Sequence, residues 1–490
     1  MFDTLLIANR GEIACRIMRS AKKLGIKTVA IYSQADQGAV HVQEADQAIC
    51  VGPANVKESY LNQQAVLQAA LVSGAGAIHP GYGFLSESAA FAREVESRGL
   101  IWVGPKPQDI EMFGDKHLAR QAAIANNVPL INGTGLLINA DQAIAEADRI
   151  GYPVILKAVG GGGGIGMHVC HNPGEVQEAY KVVTRLASAN FKSDGVFLEQ
   201  YITSARHVEV QIFGDGTGKV LVLGDRDCSL QRRHQKVIEE APAAYLPAEL
   251  REQLHESARR LAQSVNYRNA GTVEYVYDPI RKKLSFLEVN TRLQVEHPIT
   301  EEVAQVDLVE WMLRLAGQGP EFLASIDPEA CLSSLKPNGH AIEMRIYAED
   351  PHHNFRPSAG KITHLKFPEN VRIESAVQAG SEVSAHYDPM VAKLVVHGPD
   401  RPSALKLAQE ALAQTKVNGI ATNLDFMQSA LKLESVQNNT YDTSSLTMVA
   451  HDSNRIDVLA AGVMTSVQDW PGRMGLWNVG ISHSGPMDDF

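Results

Sequence analysis

Ten residues, Glu288 to His297 (EVNTRLQVEH), place a polar side chain at every second position: Glu288, Asn290, Arg292, Gln294 and Glu296 alternate with Val289, Thr291, Leu293 and Val295. A period of two is that of a strand. Alone it describes a half-exposed edge strand with a solvated face, but the residues upstream narrow it. Thr272 to Asp278 (TVEYVYD) is rich in β-branched and aromatic residues, Pro279 to Lys283 reads as a turn, and Leu284 to Asn290 as a returning strand. Centring that turn on Arg281 pairs Asp278 with Leu284 and sets Glu274 opposite Glu288. Opposed like charges roughly 4.5–5.5 Å apart at Cβ are destabilising, and a cation between them reverses the sign. Magnesium takes one or two carboxylates and leaves its other positions to phosphates and water, so Glu274 and Glu288 are metal candidates with Asn290 close enough to assist. A straight strand would carry Glu296 about 26 Å beyond Glu288. A bend after Asn290 is therefore expected, leaving an anion-binding Arg292 and a potential base, Glu296, beside the metal.

With 490 residues the chain has room for several domains. Its 45 Lys+Arg against 56 Asp+Glu give a net charge of −11, which argues against nucleic acid or an anionic membrane as the main partner. Cys15, Cys50, Cys170, Cys228 and Cys331 are far apart with no metal-ligand spacing and read as reduced thiols. No basic leader opens the sequence, and nowhere do about 18 apolar residues run consecutively, so a cytoplasmic protein is expected.

Thr4 to Ala8 is a short apolar run, Ile13, Ile17, Ala21 and Leu24 recur at helical spacing before Gly25, and Lys27 to Tyr32 is a second run. That is a βαβ unit, and similar patterns to about Gly114 predict an open parallel sheet. The loops Ala8 to Glu12 (ANRGE) and His79 to Glu87 (HPGYGFLSE) fall at strand ends, where such sheets bind ligands. Neither is a GxGxxG fingerprint, so a nicotinamide cofactor has no support.

From Asp115 to about Asp278 the pattern is mixed, and Gly160 to Gly164 with Gly166 reads as a flexible linker or a phosphate lid. The lid reading rests on the preceding strand Pro153 to Ala158, which carries Lys157: backbone N–H groups of a Gly-rich turn close on phosphate oxygens beside a Lys point charge. No Gly-Lys-Ser/Thr follows, which excludes a Walker A loop. Asp225 to Lys236 (DRDCSLQRRHQK), taken alone, reads as a solvated charged loop. Arg345 in the strand-like Ala341 to Ala348 reads as a surface ion pair, and His79 as a turn or core histidine. Ser435 to Asn454 is polar and weakly patterned, which suggests a linker, and Arg455 to Phe490 begins something new.

Taken together, ANRGEIACRI, HPGYGFLSE, GGGGIGM, RDCSLQRRHQK and EVNTRLQVEHPITE occur in an order and at spacings that resemble the biotin carboxylase family of ATP-grasp enzymes over roughly residues 1–446. The resemblance implies an α/β and α+β architecture: a Rossmann-like N-terminal domain (1–114), an ATP-grasp central domain (115–330) with a Gly-rich lid at about 131–203, and a C-terminal mixed α/β domain (331–446). It implies that Lys116, Lys157 and the backbone at Gly163 and Gly164 contact nucleotide phosphates. Glu199 and Ile202 fall on the adenine side, with His207, Gln231 and His234 lining ribose and base. Glu274 and Glu288 would hold magnesium or manganese, with Asn290 near the phosphates. Lys236, Arg292, Gln294 and the Val295 amide resemble a bicarbonate cradle, Glu296 the base, Arg345 the partner of the biotin enolate, and Tyr82 and Gly83 a loop near the biotin ring. Ile165 departs from the arginine common at that lid position, which puts one lid contact in question.

The last 36 residues, from Arg455 and including VLAAGVMTSVQDWPGRMGLWNVGISHSGPMDDF, resemble the opening of the carboxyltransferase domain of the urea carboxylase family. A linker over 447–454 and a truncated carboxyltransferase start over 455–490 are expected, as part of a longer enzyme. No Met-Lys-Met is present, so biotin is expected on a carrier domain elsewhere, with the carboxyltransferase domain as second partner and a homodimer through the biotin carboxylase part. The expected reaction is carboxylation of biotin by ATP and bicarbonate through carboxyphosphate, the first half of urea carboxylation. The competing readings are the biotin carboxylase of an acyl-CoA or pyruvate carboxylase, a guanidine-directed relative, a biotin-independent ATP-grasp ligase, and a non-catalytic nucleotide-binding module.

Overall fold

In the computed structural model, residues 1–158, 167–190, 195–326 and 338–449 are described, side chains of 186–190 excepted. Gly163, Gly164, Ile165, Cys331 and the tail 455–490 lie outside the described residues, as does most of the 447–454 segment.

The first apolar runs form a parallel sheet of five strands in the order Gln47–Gly52, Lys27–Ser33, Thr4–Ile7, Ala77–His79, Ile101–Trp102. The helical spacing gives helix Gly11–Lys23, which buries Ile13, Ile17 and Ala21 and stops before Gly25, held at φ +72°. Strand order reverses between Thr4–Ile7 and Ala77–His79, and the two glycine-containing loops meet at that switch point. Asn9 Nδ2 donates to the carbonyls of Pro80 and Tyr82, both at 2.7 Å. Gly81 sits at φ +64°, where a Cβ would come within 2.9 Å of Asn9 Nδ2, so this crossing requires glycine. His79 is a core histidine: fully buried, its Nδ1 accepts from the Gly81 amide at 3.0 Å.

Lys157 lies on Val154–Ala158, the middle strand of a separate antiparallel sheet, flanked by Met167–Cys170 and Val196–Gln200. Helices Ala140–Ile150 and Pro173–Asn190 cover it through Ala143, Ala147, Val176 and Val183.

Eight antiparallel strands make the largest sheet, in the order Lys283–Asn290, Arg268–Asp278, Arg206–Asp215, Val220–Arg232, Gln235–Ala241, His340–Tyr347, Met390–Gly398, Arg372–Ser375. It runs without a break from the central segment into the C-terminal one, through the pairing of Ile238 with Met344 and Ala241 with Ala341. Asp225 to Lys236 is part of this sheet rather than a solvated loop. Arg233 and His234, at φ +49° and +65°, turn it into a hairpin, and Arg226 is among the most deeply buried side chains. The polar stretch from Ser435 is likewise packed as far as Val449, with Val436, Tyr441 and Leu446 in the core. Its low apolar density misled the linker reading because Tyr441 is anchored by its hydroxyl, which lies 2.8 Å from Asp227 Oδ2 and 3.1 Å from Glu240 Oε1 and shares its one proton with them.

Glu240 collects that anchor. Arg401 donates from Nε to Oε2 at 2.7 Å and from Nη2 to Oε1 at 2.8 Å, and His340 Nε2 lies 2.8 Å from Oε2. Burial alone would raise the carboxyl's proton affinity, but His340 and Arg401 outweigh it and hold the pKa down at about 2. A depressed folded pKa contributes stability above the unfolded value of about 4.5 that is lost as pH falls through about 2. Arg401→Ala is expected to cost about 3–5 kcal/mol at neutral pH, because it leaves a buried charge with half its partners. The difference from the unmodified chain should narrow below about pH 4.5, as read by urea unfolding at neutral pH and near pH 4.

Candidate functional site

Glu274 and Glu288 face each other across the hairpin, as the turn centring implies, but by a different route. The strands close one residue earlier, with Asp278 opposite Lys283, and a bulge between Glu274 and Tyr275 restores the register. Leu287 is the extra residue and is left half exposed. The two carboxyls are electrostatically unequal. Glu274 is buried, and although burial raises its proton affinity, Lys236 and His207 outweigh that and keep it ionised. Glu288 is pushed the other way by burial and then by the charge of Glu274, with Lys116 opposing. An added cation offsets that repulsion, and the oxygen donors suit a hard divalent ion. The buried Asn290 amide nitrogen has no hydrogen-bond partner, which leaves a donor for a ligand oxygen.

The strand ends at Asn290, so the alternation through His297 is not one strand. Thr291 to Glu296 turns instead, and Glu296 becomes the N-cap of helix His297–Ala304. The turn gathers the alternating polar residues around the hairpin. Arg292 donates to Asn290 Oδ1 and Glu87 Oε2, both at 3.0 Å. Gln294 donates to Glu274 Oε1 at 2.9 Å, and the Val295 carbonyl accepts from Lys393 Nζ at 2.7 Å.

Lys236 is the hub. Its ammonium lies 2.6 Å from Glu296 Oε1, 2.7 Å from Glu209 Oε2 and 3.0 Å from Glu274 Oε1. Those three carboxylates overcome burial and hold Lys236 firmly protonated. Arg345 closes the other side of Glu296, with Nη2 2.9 Å from Oε2. It is buried between Glu296 and Glu239, not a surface ion pair, because every residue of its strand is buried. Glu296 is thus fixed as a carboxylate: burial favours its proton, but Lys236, Arg345 and Arg226 outweigh that.

Of the remaining expected residues, His207 and Gln231 join this cluster directly. His207 Nε2 lies 3.0 Å from Glu274 Oε2, and its Nδ1 is 3.0 Å from Gln231 Nε2. Burial lowers the basicity of His207, but the charge of Glu274 outweighs that and raises it. Lys157 Nζ pairs with Glu199 Oε2 at 2.6 Å, so Glu199 holds the lysine in the free chain, in addition to any contact with a base. Lys116 is exposed at the start of helix Lys116–Ala125, Ile202 is partly buried, and His234 is exposed at its hairpin turn, with no contact to His207 or Gln231 among those observed. The Tyr82 hydroxyl donates to Glu12 Oε1, which also takes Lys393 Nζ at 3.2 Å, and Gly83 adopts φ +67°.

Several residues of the cluster escaped the sequence reading: Glu12, Glu209, Arg226, Glu239, Glu343 and Lys393. The signal for Glu209 was present, since His207, Glu209 and Gln211 repeat the same alternation on Arg206–Asp215. Arg226 answers them from the next strand, donating to Glu209 Oε1 at 2.5 Å and Gln211 Oε1 at 2.7 Å. Glu239, Glu343 and Lys393 were missed because what gathers them is the pairing of three strands that are distant in sequence.

Among the described residues no helix is long and apolar enough to cross a membrane. Residues 1–110 match the family description "Biotin carboxylase, N-terminal domain", 115–321 "Carbamoyl-phosphate synthase L chain, ATP binding domain" and 343–448 "Biotin carboxylase C-terminal domain". The chain is 44% identical to the urea amidolyase of Saccharomyces cerevisiae over 490 residues, all of this chain but 26% of that protein. It therefore spans about a quarter of that relative. It is 47% identical to the mouse (Mus musculus) mitochondrial methylcrotonoyl-CoA carboxylase subunit alpha over 427 residues, 86% of this chain and 58% of that one. Among solved structures, it is similar to the biotin carboxylase domain dimer of Hydrogenobacter thermophilus 2-oxoglutarate carboxylase in complex with MgADP, ADP and bicarbonate. That likeness has a TM-score of 0.79 at 39% identity and covers 91% of this chain and 97% of that one. With three consecutive domain matches and near-complete coverage of a solved relative, the chain belongs to the biotin carboxylase family of ATP-dependent ligases.

Proposed function

We propose that the chain carboxylates biotin with ATP and bicarbonate, as the first half of urea carboxylation. The observation that carries the first part is the buried Glu296 held between Lys236 and Arg345, with Arg292 on the same turn. A small anion competes with Glu296 for those cations. Binding of bicarbonate there draws Lys236 and Arg345 off the carboxylate, which raises its proton affinity at the moment a base is needed. Glu296 then takes the bicarbonate proton, and the freed oxygen attacks the γ-phosphorus of ATP as the bond to the β-phosphate oxygen breaks, giving carboxyphosphate and ADP. Lys116 and Lys157 offset phosphate charge, Lys157 exchanging its partner Glu199 for the nucleotide. Glu274, Glu288 and Asn290 would hold magnesium or manganese, which when bound neutralises charge on the nucleotide phosphates. Carboxyphosphate breaks down to carbon dioxide and phosphate, phosphate removes the ureido N–H proton of biotin, the ureido nitrogen then bonds to the carbon of carbon dioxide to give carboxybiotin, and Arg345 faces the negative ureido oxygen of the intermediate beside Tyr82 and Gly83. His207, Gln231, His234, Ile202 and Glu199 are proposed to line the nucleoside, and Gln294 and Val295 the bicarbonate.

Urea as final acceptor rests on the length of the alignment. The urea amidolyase relative is matched over the whole chain, including the last 36 residues, whereas the methylcrotonoyl-CoA carboxylase relatives are matched over 86% to 94% of it. The proposal includes a biotinyl carrier domain and a carboxyltransferase domain as partners, and a homodimer like that of the solved relative. It also includes a cytoplasmic location, where ATP and bicarbonate are at hand and Cys15, Cys50, Cys170 and Cys228 stay free thiols. The protein that carries the carboxyltransferase, assayed with urea and with guanidine, decides the acceptor: turnover with guanidine alone would remove urea from the scheme.

ATP hydrolysis by the 490-residue chain with bicarbonate should be slow and should rise when free biotin is added. Phosphate release unchanged across saturating biotin in a folded protein would replace this reading with a biotin-independent ATP-grasp ligase. Glu296→Gln should lower biotin-dependent turnover by roughly 10²–10⁴, the usual range for a positioned base, while ATP affinity by direct titration stays near that of the unmodified chain. An equal loss of ATP binding would make Glu296 a nucleotide or structural residue. Glu274→Gln and Glu288→Gln should each raise the magnesium concentration needed for half-maximal turnover, and a normal magnesium dependence in either would rule out a shared cation.

A further inference from the structure

Behind Arg345 lie two carboxyls that the reaction above does not use. Glu239 stands directly opposite Glu343 where Gln235–Ala241 pairs with His340–Tyr347, and both are fully buried. None of their four carboxyl oxygens has a hydrogen-bond partner. Arg345 is the nearest cation: Nη2 is 2.5 Å from Glu239 Oε1, an ion pair without hydrogen-bond alignment, and Nε is 4.0 Å from Glu343 Oε1. The same Nη2 reaches Glu296. Arg345 therefore stands between the base of the reaction and a pair of like-charged groups cut off from water.

Two ionised carboxylates directly opposed on neighbouring strands, without solvent and with only the shared Arg345 beside them, are unfavourable. One proton removes the repulsion and supplies a missing donor. The charged groups facing the pair leave room for it. Lys236, on the same strand as Glu239, is already shared among three carboxylates, and Cys228 on the next strand stays a thiol. Lys393, from Met390–Gly398, is turned to Glu12 and the Val295 carbonyl. On the helix packed over these strands, His297 is kept neutral by burial and Glu301 is taken by Arg16 and Arg372. Burial pushes the Glu239 carboxyl up to about 7, with Glu296 adding and Arg345 opposing, and burial raises Glu343 well above the carboxylate range, with Lys393 opposing and Glu239 adding.

We propose that Glu239 and Glu343 hold a single proton between them and act as positioning residues for Arg345. While the proton is present, Arg345 is balanced between Glu239 and Glu296 and its charge is available to the acceptor. When the proton leaves to solvent, the second carboxylate competes for the guanidinium and weakens its hold on the acceptor's ureido oxygen. This consequence for the acceptor rests on the biotin carboxylation reading, whereas the shared proton does not.

Infrared difference titration of the substrate-free 490-residue chain tests the proton directly. A protonated carboxyl band should disappear between about pH 6 and pH 8, around the value for Glu239, and should be shifted or absent in Glu239→Gln and Glu343→Gln. No such band in the unmodified chain would overturn the proposal, and so would a band unaffected by either substitution. Steady-state kinetics test the positioning. The KM for free biotin should rise about three- to tenfold over that range, as linkage to one proton allows, and should become flat with pH in the two variants while the KM for ATP stays level in all three. An unchanged slope in both variants would overturn the positioning role. If Glu343→Gln does not fold, the titration of the unmodified chain and Glu239→Gln decides. A chain with the carboxyl band but no response to biotin would overturn the biotin reading and leave the shared proton standing.

Discussion

The ammonium of Lys236 among Glu209, Glu274 and Glu296 is the interaction on which the site depends. Its three carboxylates come from three different places: the strand Arg206–Asp215, the strand Arg268–Asp278 and the cap of helix His297–Ala304. Three buried anions brought this close are stable only with cations among them, so the lysine and Arg226 together permit the approach. Because the lysine is shared, each carboxylate is held less tightly than in a dedicated pair.

The hairpin shows how much of this the chain's linear pattern carried. The opposed Glu274 and Glu288 were legible because both the turn and the alternation pointed to them, yet the register at the tip was wrong by one residue. The bulge opposite Leu287 absorbs the difference, and nothing in a strand of apolar and polar residues marks where a bulge falls. The alternation after Asn290 gave the right residues for the wrong conformation. Their period-two spacing served a turn that delivers Arg292, Gln294 and Glu296 to neighbouring places, not a strand that spreads them along an edge.

What the sequence did not reveal was the burial of Arg345, which read as a surface ion pair, and the part played by Glu343 and Lys393. All three lie on strands buried on both faces, where a charged side chain is normally excluded. They persist because each is answered from an adjoining strand, and such pairing is a property of the sheet order. The parallel sheet of residues 4–102 was legible for the opposite reason. Its strands and helices are local, and its loops meet at a switch point that strand order alone dictates.

The unbroken eight-stranded sheet has a mechanical consequence. Lys236 and Arg345, the two cations that grip Glu296, sit on directly paired strands, and Lys393 sits on the strand after that. A hinge between the central and C-terminal segments would have to shear that ladder, breaking several backbone hydrogen bonds at once. The grip on Glu296 is therefore geometrically stiff. Lys157, by contrast, stands on a separate three-stranded sheet with its own core, so no backbone ladder couples its position to that of Glu296.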